Sequence, residues 1–171
     1  MNLADYLRDV PDFPKPGIVF KDISPLLADP AAFAHAVDRM AELVGGWQVD
    51  RIAGIESRGF LFGTPLAMQL GVGFTPLRKP GKLPAETTAV EYGLEYGTDT
   101  LEIHTDGVAV DEHVLIVDDV LATGGTAAAA CELVEVVGGR VAGCVFLLEL
   151  GFLAGRAKLA DRALASVMRI D

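Results

Sequence analysis

Residues Val114 to Thr126 read VLIVDDVLATGGT. The run Val114 to Val117 has no polar alternation, the pattern of a strand covered on both faces in a parallel sheet. It ends in two acids, Asp118 and Asp119. Thr123, Gly124, Gly125 and Thr126 come next, then an alanine-rich stretch that predicts a helix from Thr126 to Val137. Two consecutive glycines let the backbone take positive φ and turn several N–H groups inward, and the helix adds unpaired N–H groups and its positive dipole end. A phosphate fits such a loop, with the hydroxyls of Thr123 and Thr126 as further donors or one of them as a helix cap. The two acids would repel a phosphate set directly against them and are better matched to neutral hydroxyls or a hydrated divalent cation. A ligand with a diol beside a phosphate satisfies both halves, as a ribose 5-phosphate does. The alternative is a plain strand-to-helix turn with solvated acids and structural glycines.

On either side of this stretch the chain alternates apolar strand candidates with helical ones. Strands are predicted at Arg51 to Glu56, Val72 to Leu77, Val114 to Val117, Val141 to Leu148 and Ala165 to Arg169, and helices at Ala31 to Val44, Phe60 to Leu70 and Thr126 to Val137. Short β–α connections predict an α/β fold, a mostly parallel sheet flanked by helices with right-handed crossovers. Ligands of such sheets bind beyond the carboxyl ends of the strands. The Glu56-Ser57-Arg58-Gly59 turn and the Asp118 to Thr126 loop both fall there, so they are expected to face one site.

Two segments break the alternation. Pro80 to Thr100 carries two prolines, three glycines and several β-formers, which predicts a long hairpin or mobile flap rather than a core element. Five prolines between Pro11 and Pro30 exclude a continuous helix and predict a stiff, mostly extended path. Phe13, Ile18, Val19 and Phe20 are too apolar for a solvated tail, and packing against the core is expected in preference to a flat ligand.

Composition narrows the function. With 171 residues, 51% of them hydrophobic, the chain is expected to form one domain over residues 1–171. A net charge of −10 and a pI near 4.6 argue against a nucleic-acid partner and against an anionic membrane surface. The early acids and the lack of a long apolar segment predict a cytoplasmic protein. No Lys or Arg occurs between Leu83 and Gly139, so Arg58, Arg78, Lys79 and Lys82 are the cations expected to meet a polyanion. Neither a G-x-x-x-x-G-K-[ST] loop nor a G-x-G-x-x-G turn is present. Cys131 and Cys144 sit among apolar residues and are expected to be small core side chains.

The thirteen residues resemble the phosphoribosyl-pyrophosphate motif of type I phosphoribosyltransferases. FPKPGIVFKDISPLL, IAGIESRGFLFG, RKPGKLP, LEYGTDTLEIH and FLLELGFLAGRAKL extend the resemblance, to the adenine branch of that family, over nearly the whole chain. It implies the type I phosphoribosyltransferase fold with a small N-terminal hood (about residues 1–30) and a flexible β flap (about 80–100). The implied reaction transfers ribose 5-phosphate from phosphoribosyl pyrophosphate to N9 of adenine, giving AMP and pyrophosphate, with Mg2+ held mainly by substrate and water and a homodimer as the usual assembly. Asp118 and Asp119 would hold the ribose hydroxyls, and Ala122, Thr123, Gly124, Gly125 and Thr126 would wrap the 5-phosphate. Arg58, beside Ser57 in a turn that in this family often holds a non-proline cis peptide, would meet pyrophosphate together with Arg78, Lys79 and Lys82, Arg78 reaching across a dimer interface. Glu95 and Tyr96, in a flap that closes to exclude water, match contacts near the reacting centre, Glu95 as a candidate for proton transfer. The backbones of Val19 and Lys21 would read the 6-amino edge of adenine, with Phe20 nearby and Leu150 as an apolar wall. Lys21 stands where many members have Arg, and Ala85 where a basic residue is common. Two alternatives stand beside this reading: a phosphoribosyltransferase for another base, and a regulator that senses phosphoribosyl pyrophosphate without turnover.

Overall fold

The computed structural model describes residues 1–94 and 97–171. A 3-10 turn at Leu3–Tyr6 leads into an antiparallel pair, β1 (Arg8–Pro11) and β2 (Val19–Asp22), followed by α1 (Ser24–Ala28) and α2 (Pro30–Val44). The alternating unit then runs β3 (Arg51–Ile55), α3 (Arg58–Leu70) and β4 (Gly73–Leu77). An antiparallel pair, β5 (Thr87–Gly93) and β6 (Thr98–His104), interrupts it before β7 (His113–Leu121), α4 (Gly125–Val136), β8 (Arg140–Leu150) and β9 (Leu164–Ile170). The main sheet is parallel throughout, in the order β4-β3-β7-β8-β9.

The position of β7 explains its sequence. Val114 and Ile116 pack toward α4, while Leu115 and Val117 pack toward α2 and α3, and all four are fully buried. A strand at the centre of a two-sided sheet has no solvent face and so no polar alternation. The strand does not stop at Val117, as the end of the apolar run suggests. It continues to Leu121, with Asp118 paired opposite Phe146 of β8, so the two acids are held by the ladder itself. At the other predicted turn α3 starts at Arg58 rather than Phe60. Helix α4 starts at Gly125 behind Gly124, whose φ of 80° places it in the left-handed region, and neither threonine hydroxyl caps the helix.

Two expectations are corrected. The β5–β6 hairpin is partly a core element: Val90, Tyr92, Leu101 and Ile103 are buried in the cluster that contains α4. Burying each of the three aliphatic side chains contributes roughly 1.5–3 kcal/mol, and a bridge between Arg78 and Glu102 ties the hairpin's root to the end of β4. The second correction is in the hood. Phe13, Ile18 and Val19 are half exposed rather than packed in the core. The β1–β2 pair turns them outward, and Phe13 sits edge-on to Phe20 at 5.3 Å. Both cysteines are buried and unbridged, with their sulfurs 3.5 Å apart.

Candidate active site

β3 and β7 end side by side in the sheet, and Gly59 lets the start of α3 settle against the end of β7. A Cβ there would stand 2.7 Å from the Val117 carbonyl oxygen and 3.0 Å from Asp118 Oδ1, so a side chain would push the start of α3 off the strand end. With glycine in place, Arg58 at the first turn of α3 donates from Nε to Asp119 Oδ2 at 2.5 Å, and the Asp119 side chain is almost fully buried. Asp118 Oδ1 accepts the Asp119 amide at 2.9 Å. Burial first, and the neighbouring Asp119 charge second, push the Asp118 carboxyl well above the usual carboxylate range. Two adjacent acids at a strand end, one of them disfavoured as a charge by its burial, gain from any cation brought to them.

Glu56 organises the opposite wall. The Glu56–Ser57 peptide is cis, and the buried Glu56 carboxylate accepts the Lys79 amide and, at 2.6 Å, the Lys82 ammonium, with Arg78 Nε at 3.8 Å. Burial alone would raise this carboxyl, but the Lys82 and Lys79 hydrogen bonds and the two cationic charges outweigh it and hold it below its ordinary value. Arg78 Nε is itself buried with no hydrogen-bond acceptor among the described residues, and its guanidinium lies 5.9 Å from the Phe60 ring. The Lys79 ammonium is bound by Asp99 of β6 and lies 3.1 Å from the Tyr92 hydroxyl, which also receives Thr126 Oγ1 at 3.3 Å. Desolvation opposes the charge on Lys79, and the Asp99 and Tyr92 contacts more than restore it, raising its pKa.

Two adjoining clefts result. One, of about 320 Å³, is lined by Ile55, Glu56, Ser57, Arg58, Lys79, Asp118, Asp119 and Thr126. The other, of about 90 Å³, is enclosed by the loop from Leu121 to Ala127 with Asp118, Val120 and Phe146. Together they join the acids, Ser57, Arg58, Lys79 and all of Ala122 to Thr126. Arg78 and Lys82 are attached through Glu56, and Phe20 reaches the site under the Arg58 guanidinium, 5.6 Å from its ring centre. Val19, Lys21 and Leu150 do not line either cleft, and the Lys21 ammonium is taken by Asp9 at 2.6 Å. Glu95 and Tyr96 lie outside the described residues. A larger opening of about 520 Å³ lies at the β9 edge among Glu149, Arg156, Arg162 and Arg169. Each guanidinium there already faces a carboxylate, so size does not mark the site.

The sequence reading passed over Tyr92, Asp99 and the hub role of Glu56. The alternation in TTAVEYG could have flagged Tyr92 as inward-facing. Nothing local marks Asp99, whose partner is twenty residues away across the hairpin.

The chain that builds this arrangement, a glycine loop beside two acids and a cationic wall, matches the profile of the phosphoribosyl transferase domain over residues 22–169. The adenine phosphoribosyltransferase of Maridesulfovibrio salexigens is 56% identical over 99% of this chain and all of that protein. The chain belongs to the adenine phosphoribosyltransferase family. The family's solved structures superpose closely. The enzyme from Thermoanaerobacter pseudethanolicus aligns with a TM-score of 0.96 at 53% identity, covering 99% of this chain and 100% of that one. The Saccharomyces cerevisiae enzyme, complexed with D-2,5-dideoxy-2,5-imino-altritol 1,6-bisphosphate and adenine, aligns at 0.90 and 43% identity over 96% of each chain.

Proposed function

We propose that the protein transfers ribose 5-phosphate from phosphoribosyl pyrophosphate to N9 of adenine, yielding AMP and pyrophosphate for purine salvage. The observation that carries this reading is the pair Asp118 and Asp119, set between a glycine loop and a cationic wall, with Arg58 as their one hydrogen-bonded cation among the described residues. A ribose 5-phosphate spans those parts: phosphate over Ala122 to Thr126, hydroxyls on the acids, pyrophosphate toward Arg58, Ser57, Lys79, Lys82 and Arg78. Displacement at C1′ with oxocarbenium character places negative charge on the leaving pyrophosphate, which the guanidinium and ammonium groups stabilise, and positive charge on the sugar beside the acids. The donor set suits magnesium held chiefly by substrate oxygens and water, with Asp118 and Asp119 as outer partners, because the raised Asp118 carboxyl regains its charge beside a cation. When bound, the ion adds positive charge at the leaving group.

Adenine is proposed to lie under the hood, where Phe20 and the exposed Val19 offer an apolar face. The backbones of Val19 and Lys21 are proposed to read the base, while the Lys21 ammonium is held by Asp9. An acceptor carbonyl there favours the 6-amino group and opposes a 6-oxo group, and Leu150 is proposed as the far wall. Glu95 and Tyr96 are proposed to contact the reacting centre when the flap, residues 80–100, closes over a single catalytic domain. The exposed Leu61 and Met68 on α3 support a homodimer paired at this helix, and a cytoplasmic location is proposed. No helix of the described residues is long and apolar enough to cross a membrane. The deciding experiment is pyrophosphate release from phosphoribosyl pyrophosphate and magnesium with a panel of bases. Adenine alone should support turnover; release with hypoxanthine or guanine but not adenine would overturn the base assignment, and no release with any base would favour the regulator.

A further inference from the structure

We propose that Lys158 supplies the side-chain cation of the 5-phosphate site, an inference that rests on the phosphoribosyl reading above. The 3-10 turn Gly155–Leu159 is fastened from three directions. Gly155 lies so close to the phosphate loop that a Cβ there would strike the Ala122 carbonyl, and a Cβ on Gly124 would strike the Gly155 carbonyl. Arg156 donates to the buried Glu149 at 2.9 and 2.5 Å. Leu159 is buried in the cluster that contains α4. The turn is therefore locked to the loop, and Lys158 leaves it with its ammonium 3.8 Å from the point where a Cβ on Gly125 would stand.

The charges around that ammonium point to an external anion. Twelve of the fourteen Lys and Arg side chains are matched by a carboxylate. Lys15 has an interaction of its own. Lys158 alone has no partner among the described residues, in a chain whose net charge is −10. The first turn of α4 carries no acid, and no side chain caps it. The Gly93 carbonyl oxygen and the Tyr92 ring are the other groups nearest the same point. The ammonium is exposed and stands outside the linings of the two clefts, beside the start of α4 with its unpaired N–H groups, and a dianionic phosphate on the loop complements both. Lysine suits this place because it acts as a mobile point charge while the backbone supplies the directional bonds.

Calorimetric titration of AMP and of magnesium pyrophosphate into the full chain tests the inference. Lys158→Ala should weaken AMP roughly tenfold, the scale of one charge-assisted contact, with the loss shrinking as salt is raised. Lys158→Arg should restore most of the affinity, and pyrophosphate, which goes to the other wall, should bind the alanine variant as it binds wild type. Equal AMP affinity for wild type and Lys158→Ala overturns the assignment, as does an equal loss for AMP and pyrophosphate. Wild type that binds no AMP overturns the phosphoribosyl reading itself, and the role of Lys158 with it.

Discussion

Asp118 and Glu149 sit at the carboxyl ends of neighbouring parallel strands, and their environments have opposite effects. Glu149 is almost fully buried, yet Arg156 binds it through two nitrogens, Ser166 adds a hydroxyl at 2.9 Å and Arg169 approaches at 3.4 Å. The Arg156 hydrogen bonds, helped by Ser166 and the arginine charges, keep its carboxyl below the usual range despite burial. Asp118 is desolvated against another acid and is pushed the other way. One carboxylate is complete within the chain and fastens a turn. The other is incomplete, and what it lacks, hydroxyls and positive charge, is what the proposed substrate and its metal bring.

The largest effect should come from breaking the incomplete end. Asp119→Ala removes a hydroxyl acceptor and the partner of Arg58, and kcat/KM for phosphoribosyl pyrophosphate should fall about a hundred- to a thousandfold, as when a preorganised transition-state contact is lost. A loss under threefold in steady-state assays would remove the acids from the mechanism. Asp118→Asn should lower activity too, yet raise the melting temperature at pH 7. Its native pKa lies above its unfolded value, so from about pH 3.9 upward the unfolded chain ionises this carboxyl more readily and folding is disfavoured, until pH passes the raised native value. The variant and wild type should converge near pH 3 in thermal melts.

Breaking the complete end should cost stability rather than chemistry. Glu149→Ala leaves Arg156 and Arg169 without their carboxylate; because both arginines are about half exposed, the expected loss is about 2–3 kcal/mol, at or below the lower end for buried pairs. The sign with pH is opposite to that of Asp118. A lowered carboxyl contributes its full stability above its unfolded value, about pH 4.3, and loses it as pH falls through the native value. Denaturant titrations at pH 7 and pH 3 should therefore show a gap between wild type and variant that closes in acid; a constant gap would mean that the ion pair is not its source.

The same pair shows what the sequence could and could not disclose. The β–α alternation and the central position of β7 follow from VLIV, since a two-sided strand must be apolar throughout, and the anion loop follows from TGGT. The placing of Asp118 and Asp119 beside the loop was legible because their neighbours in sequence are their neighbours in the cleft. Glu149 was not, because Arg156, Ser166 and Arg169 reach it only once the sheet edge and the 3-10 turn are folded. The hood was misread for the same reason. Phe13, Ile18 and Val19 have core composition, but β1 pairs with β2 rather than with the main sheet, and no local pattern records that choice. Base identity remained a matter of family resemblance, because recognition through backbone groups leaves no side-chain signature.

Gly155 joins the two ends. Gly155→Ala forces a methyl group against the Ala122 carbonyl, and overpacking of this kind costs typically about 1–3 kcal/mol. Because the yielding partner is the phosphate loop, part of that cost should emerge as weaker AMP binding, by roughly tenfold on the same scale, with a fall in melting temperature alongside. A variant that melts early but binds AMP as wild type does would show that the turn yields and the loop does not.

The smallest effect separates two roles for Asp99. Its carboxylate holds the Lys79 ammonium, and Lys79 in turn holds it below the usual carboxylate range. Both groups are about one-third exposed, so the pair contributes under about 1 kcal/mol. If Asp99 occupies an ammonium that pyrophosphate needs, Asp99→Asn should lower KM for phosphoribosyl pyrophosphate about threefold, leaving Lys79 with the Tyr92 hydroxyl as its remaining tether. If Asp99 instead aims Lys79 at the cleft, KM should rise. The first outcome is expected, because an exchange of one anion for another lets the cationic wall stay satisfied before substrate arrives, whereas Asp118 has no hydrogen-bonded cation of its own among the described residues.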